Sequence, residues 1–289
     1  MANLKEVRTR IASVSSTQQI TSAMKMVSAA KFRRAQNSIL AMRPYDQKLS
    51  EIIKDINVED GVDTPYHVVR EAEKVLLVVV TSNKGLCGAF NSNVVKEANQ
   101  RLEYYDGQKG VELSMITIGK RATEIFGKRA GLVKESYDEL LDKPTFDNVA
   151  ELAEKIMSRF CNKEYDRIEL VYNKFKNSLT QIPSVEQFLP IVPKANDCEQ
   201  KVQNDYIFEP SKVEILKGMI PLSLRSQFYR VILDSLAAEH GARMTAMQKA
   251  TDNAAELLKE LKLTYNKARQ SAITNEIIEI VSGAEALNG

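Results

Sequence analysis

Cysteine, histidine and tryptophan are nearly absent: the 289 residues include three Cys, two His and no Trp. Cys87, Cys161 and Cys198 make neither a CxxC pair nor an even framework, so no disulfide scaffold is expected. Two histidines leave no His-rich metal site. No uncharged apolar run approaches the ~18–20 residues that span a bilayer; the longest, residues 75–80, has the length of a strand. The opening stretch MANLKEVRTRI lacks an apolar h-region, so no secretory signal is expected. With 44% hydrophobic and 27% charged residues, global disorder is excluded and a soluble protein in a reducing compartment is the expectation.

Glycine and proline are scarce at both ends. Residues 1–60 hold one of the 20 (Pro44), residues 222–282 hold one (Gly241), and 61–221 hold 16. Gly costs about 1 kcal/mol and Pro about 3 kcal/mol in a helix interior, so the two poor segments are free to be long helices. Sixty helical residues extend about 90 Å, several times the radius of a small domain. Such rods are expected to need a partner other than the middle domain.

The C-terminal segment carries a 3,4 spacing: Leu233, Ala237, His240, Met244, Met247, Thr251, Ala254, Leu258, Leu261, Tyr265, Ala268 and Ala272. That 3.5-residue period predicts a left-handed coiled coil. Its seam is rich in Ala, Thr and Met, which lets backbones approach closely while burying little area. A second apolar row, Ile273, Ile277 and Ile280, follows. The N-terminal segment starts alike with Leu4, Val7, Ile11 and Val14. Its seam turns polar at Thr17 or Gln18 and Thr21, and Met24, Val27 and Ala35 resume it. Pro44 is expected to kink or end this helix. Pro210 and Pro221 bracket a short helix, and the second rod is expected to start near Ser223 as N-cap.

Charge is unevenly spread behind the net +2. Residues 1–48 hold nine Lys/Arg, including Lys31, Arg33 and Arg34, against two acids; residues 223–289 are neutral and 49–222 carry −5. A basic helix is either a solvated face or a match for an acidic partner, nucleic acid or anionic lipid. Aromatics are not interleaved with these basic residues, Phe32 standing alone in the cluster of Lys31, Arg33 and Arg34, which argues against nucleic acid.

In the middle, strands are expected at 74–83, 113–119, 168–175 and 181–190, with helices at 91–105, 120–128 and 146–161. The alternation predicts a parallel or mixed α/β sheet ending in a hairpin. The turn SNKGLCGAFN (82–91) joins a strand to a helix, where glycines can cradle phosphate. Its spacing fits neither GxxxxGK[ST] nor GxGxxG, so a tight turn with Cys87 as a small buried group is favoured. No GxSxG or HExxH motif occurs, and His67 and His240 stand in no motif. No constellation of residues singles out a catalytic site.

The segments IASVSSTQQITSAMKMVSAAKFRRAQ (11–36), SNKGLCGAFN (82–91), LRSQFYRVILDSLAAEHGARMTAMQKATDNA (224–254) and YNKARQSAITNEIIEIVSGAEA (265–286) resemble the gamma subunits of rotary proton-translocating ATP synthases. The resemblance spans essentially the whole chain, in order. It implies a long antiparallel coiled coil of N- and C-terminal helices plus a Rossmann-like α/β middle domain, divided as 1–60, 61–210 and 211–289. It implies a shaft inside a ring of alpha and beta subunits, which carry the nucleotide sites. The foot would bind the epsilon subunit and the membrane rotor ring, so membrane association is indirect. Rotation would couple proton flow to ATP synthesis or hydrolysis at beta. Neither an active site nor a cofactor of its own is implied. The direct start on the coiled-coil helix favours a bacterial protein on the cytoplasmic membrane face. The photosynthetic forms' closely spaced regulatory cysteine pair is missing, so thiol control of that kind is not expected.

The resemblance also marks residues. Met24 matches a methionine near the moving contact with beta, with simple seam packing as the other reading. Lys84 lies on the loop that meets an acidic segment of beta, or is an exposed loop lysine. Arg243, Gln270 and Thr274 match coupling or upper-bearing positions, although exposed helix residues look the same in sequence. Ile277, with Ile273 and Ile280, is expected in a hydrophobic collar at the top of the ring. Two other readings stand beside this one: a nucleotide-dependent α/β enzyme with helical dimerisation arms, and a coiled-coil adaptor on nucleic acid.

Overall fold

The structure, a computed structural model, describes residues 4–60, 64–108, 110–177, 180–191, 209 and 211–288. Cys198 and Pro210 lie outside them. The chain divides into two compact units: Ala29–Arg243, and Met1–Ser28 together with Met244–Gly289. Two helices, α1 (Leu4–Asp60) and α5 (Lys212–Asn288), contribute to both.

The larger unit is built on a five-stranded sheet. Its strands are β1 (Lys74–Val80), β2 (Glu112–Ile118), β3 (Val133–Ser136), β4 (Arg167–Phe175) and β5 (Gln181–Leu189), in the order β3-β2-β1-β4-β5. The first four in that order are parallel, and β5 closes antiparallel on β4 as the expected hairpin. The crossovers contain α2 (Phe90–Asp106), α3 (Lys120–Phe126), a 3-10 turn (Asp138–Leu141) and α4 (Phe146–Cys161). The continuous apolar run of β1 follows from burial on both faces. Val75, Leu77 and Val79 pack with Val94, Ala98 and Leu102 of α2 and Phe126 of α3. Leu76, Val78 and Val80 face Val149, Leu152, Ile156 and Phe160 of α4. The Thr145 hydroxyl starts α4 by accepting from the Asn148 amide at 3.4 Å. The strand β3 and the 3-10 turn were not anticipated; β3 is a short edge strand without an apolar run, so periodicity could not mark it.

Three sequence expectations need correction. Leu216, Ile220, Leu224, Phe228, Val231 and Ile232 of α5 are buried in the same core as α4. The first part of the C-terminal helix therefore does pack against the sheet and needs no other partner there. Pro44 and Pro221 both lie inside unbroken helices, so Pro44 does not end α1 and Ser223 is not an N-cap. A helical proline deprives the carbonyl four residues earlier of its donor. Those carbonyls belong to Leu40 and Lys217, both exposed residues on the solvent side, and buried neighbours such as Ile39, Leu216 and Ile220 hold the other face of each helix.

The smaller unit is a helix pair with one sheltered stripe. On α5, Thr251, Ala254, Leu258, Leu261, Tyr265, Ala268 and Ala272 are buried or half-buried, and every residue between them is exposed. The 3.5-residue period thus marks the seam throughout. On α1 the stripe runs through Leu4, Val7, Ile11, Val14, Gln18, Thr21 and Ser28, with Met24 and Lys25 sharing one place in it. Val27 is 58% exposed while Ser28 is 3% exposed. The spacing, not apolarity, decides which side faces the partner helix. Ser28 is accommodated because its hydroxyl donates to the Met24 carbonyl at 2.7 Å. The Thr251 hydroxyl bonds the Thr21 hydroxyl at 2.9 Å, and in the larger unit Ile39 packs with Leu233 and Ala237. Numbers rise on one helix as they fall on the other, so the pair is antiparallel.

Candidate functional site

The loop 82–91 leaves β1 at its carboxyl end. That position lies beside the point where strand order reverses between β1 and β4, the usual ligand crevice of open α/β sheets. Here protein fills the space. Cys87 and Phe90 of the loop cluster with Ala238 and Ala242 of α5 and with Phe175 at the end of β4. The buried Asn173 amide donates to the Phe90 carbonyl at 2.8 Å.

Short polar side chains pin the loop at both ends. The Ser82 amide donates to Asn91 Oδ1 at 3.0 Å, and Asn91 Nδ2 donates to Ser82 Oγ at 2.8 Å. The Ser82 hydroxyl in turn donates to the Lys84 carbonyl at 2.7 Å. Asn83 Nδ2 donates to the Asp138 carbonyl at 2.8 Å, and Asn83 Oδ1 accepts from the Lys120 amide at 3.1 Å. At the tip Leu86 has φ 61° and Gly88 φ 59°. A left-handed leucine costs roughly 1–2 kcal/mol, and this one is 64% exposed. The Lys84 side chain is exposed as well.

The third anchor comes from α5. Arg243 Nη2 donates to the Lys84 carbonyl at 2.8 Å, and Nε donates to the Gly85 carbonyl at 3.3 Å. Its Nη1 donates to Glu239 Oε1 at 2.6 Å and lies 3.3 Å from His240 Nδ1. Arg243 and Glu239 are each 7% exposed. Burial pushes the Glu239 carboxyl above its ordinary value, with the Arg243 charge pulling it back. Burial, assisted by Arg243 and Lys31, lowers His240 to about 4. The imidazole is therefore neutral and accepts at Nδ1. Breaking a buried ion pair from one side costs about 3–5 kcal/mol, because a charge stays behind unpaired.

The structure brings two of the sequence-derived candidates together, Lys84 and Arg243. The other four lie in the smaller unit. Met24 is half-buried at the seam, and Gln270, Thr274 and Ile277 are exposed on α5. The Thr274 hydroxyl donates to the Gln270 carbonyl at 2.9 Å. From Ile273 to Ala284 every residue is exposed, including Ile277 at 56% and Ile280 at 71%. Glu239, Ser82, Asn83 and Asn91 went unnoticed in the sequence. For Glu239 a signal existed, its i,i+4 spacing to Arg243. The Ser82–Asn91 and Asn83 contacts join residues that only the fold makes neighbours.

The family model described as ATP synthase matches residues 3–287. The ATP synthase gamma chain of Flavobacterium johnsoniae is 56% identical over 291 residues, covering 100% of both chains. That of Cytophaga hutchinsonii is 53% identical over 294 residues, again with full coverage. The chain belongs to the ATP synthase gamma-chain family. Solved structures agree with the fold of this gamma-chain family member. A chain of the Euglena gracilis mitochondrial ATP synthase, solved with its OSCP, F1 and c-ring, superposes with a TM-score of 0.72 at 22% identity, covering 98% of this chain and 94% of that one. A chain from the Tetrahymena thermophila central stalk and c-ring gives 0.59 at 23% identity, covering 80% and 99%. Among the described residues of this family member, no helix is long and apolar enough to cross a membrane. Nor does any group of His, Cys, Asp and Glu among them suit a metal ion.

Proposed function

We propose that this chain is the central shaft of an ATP synthase. It turns inside a ring of alpha and beta subunits and carries the epsilon subunit and the membrane rotor ring at its foot. Rotation couples proton flow to ATP synthesis or hydrolysis at the beta subunits. The chain has no active site of its own. It sits on the cytoplasmic face of a bacterial plasma membrane, held there through the complex. In this division of labour residues 1–60 and 211–289 supply the coiled-coil helices and 61–210 the Rossmann-like body. Met24, Lys84, Arg243, Gln270, Thr274 and Ile277 serve partner contact or coupling.

The observation that carries this reading is the full-length likeness, above half identity, to bacterial gamma chains. Two geometric features support it. Small and polar seam residues keep the helix pair slender, which suits a shaft that must not lock at one angle. The exposed isoleucines near the end of α5 suit a collar supplied by other subunits. The filled switch point weighs against the reading as a nucleotide-dependent enzyme. The test is purification through a tag on this chain, followed by identification of what accompanies it and calorimetric titration of the isolated chain with ATP and ADP. Alpha, beta and epsilon subunits in the eluate, with no stoichiometric nucleotide binding to the isolated chain, are expected. Tight binding of one nucleotide per isolated chain would favour the enzyme reading.

A further inference from the structure

Arg243 is a poor candidate for direct contact with a partner, since its guanidinium is enclosed and all three of its nitrogens are engaged within the chain. Two of those nitrogens grip consecutive backbone carbonyls, those of Lys84 and Gly85. This grip uses none of the loop's side chains and leaves those of Lys84 and Leu86 exposed. Directly beyond it comes Leu86, a large apolar residue that is exposed and in the left-handed region. Both properties are locally unfavourable, and a short loop adopts them together only where its surroundings over-determine its shape.

We infer that Arg243 is a positioning residue: it latches the backbone of the 82–91 loop, so that the exposed Lys84 and Leu86 side chains are held in a preformed arrangement for the partner contact proposed for this loop. The Lys84 ammonium forms no ion pair among the described residues, and Leu86 has open surface. Glu239 keeps the guanidinium oriented, and Asn83 and the Ser82–Asn91 pair hold the ends of the loop. A lysine at 243 would retain the charge, but its single nitrogen cannot span two carbonyls and a carboxylate as a guanidinium does. Fixing the loop before contact removes the ordering cost that a loose loop would meet on every encounter. For a contact made and broken repeatedly, that is the relevant saving.

This inference rests on the loop being a partner contact, and two measurements separate the claims. The first is amide hydrogen exchange on the full-length chain carrying Arg243→Lys. Exchange at residues 84–88 should quicken about tenfold, while α2 and the sheet strands stay as in the wild type. A second variant, Arg243→Gln with Glu239→Gln, removes both buried charges together and so leaves neither unpaired; it should free the same amides. Unchanged exchange at 84–88 in both variants overturns the latch, and so does an equal rise across the whole sheet. The second measurement is ATP-driven proton pumping per ATP hydrolysed in vesicles containing the assembled complex. Lys84→Ala with Leu86→Ala should reduce the ratio, and adding Arg243→Lys should reduce it little further, because Arg243 acts through that loop. Full additivity overturns the positioning role. A ratio untouched by the loop substitutions overturns the partner-contact reading, while the exchange result still decides the latch.

Discussion

Gly119 ends β2 at φ 106°, and a Cβ there would stand 2.4 Å from the Thr81 carbonyl oxygen. Neither the backbone angle nor the space admits a side chain. Gly119→Ala should lower unfolding stability by roughly 2–4 kcal/mol in urea titration. His240 offers a pH test. Its folded value of about 4 lies below the ordinary 6.5, so the folded chain binds fewer protons than the unfolded one between those values. Stability that is complete above pH 6.5 is therefore lost as pH falls towards 4, by roughly 2–3 kcal/mol. Glu239 acts in the opposite sense: with its folded value raised, it gains stability on protonation. Denaturation midpoints of His240→Gln should consequently be flatter than the wild type's between pH 6.5 and 4. Position in the sequence already placed His240 at the seam. Its neutral state comes first from burial, with the positive charges of Arg243 and Lys31 adding to it.

At the scale of elements, the N-terminal helix tests what sets a coiled-coil face. An apolar residue at 27 and a polar one at 28 would place Val27 inside, yet the strict 3,4 repeat puts Ser28 there. Val27→Ser should change thermal stability by no more than about 0.5 kcal/mol. Ser28→Leu should cost about 1–3 kcal/mol by overfilling a close approach. Circular dichroism melts of the full-length chain would reverse that order if the seam followed apolarity. The prolines teach the same lesson from the other side. Local propensity argues for breaks at Pro44 and Pro221, but packing on one face and solvent exposure on the other let α1 and α5 pass through.

For the whole molecule, the unpartnered stretch from Ile273 to Ala284 is the prediction's ground. Deleting residues 273–289 removes burial rather than chemistry, so it should loosen the assembled complex more than it reduces ATP turnover. Subunit dissociation on dilution and hydrolysis in the intact fraction measure the two effects. Complete loss of hydrolysis in a correctly assembled complex would contradict the shaft reading of that tip. In the middle of the chain β1, β2, β4 and β5 are legible in the sequence, helped by the continuous apolar runs of buried parallel strands, whereas the short edge strand β3 is not. The helix 146–161 matched to the residue because its amphipathic pattern and Thr145 cap agree. The latch was not legible, since Lys84 and Arg243 are 159 residues apart and no local signal joins them.

The sequence alone determined the two glycine-poor helices, the 3.5-residue seam of α5 and the α/β alternation, because periodicity and composition are properties of neighbouring residues, and its long specific segments carried the family resemblance. Only the tertiary structure decided that the start of α5 belongs to the sheet's core, that Ser28 rather than Val27 faces the partner helix, and that Arg243 grips the loop from within. Those outcomes depend on which surfaces meet across long sequence separations, where shape and desolvation outweigh local preference.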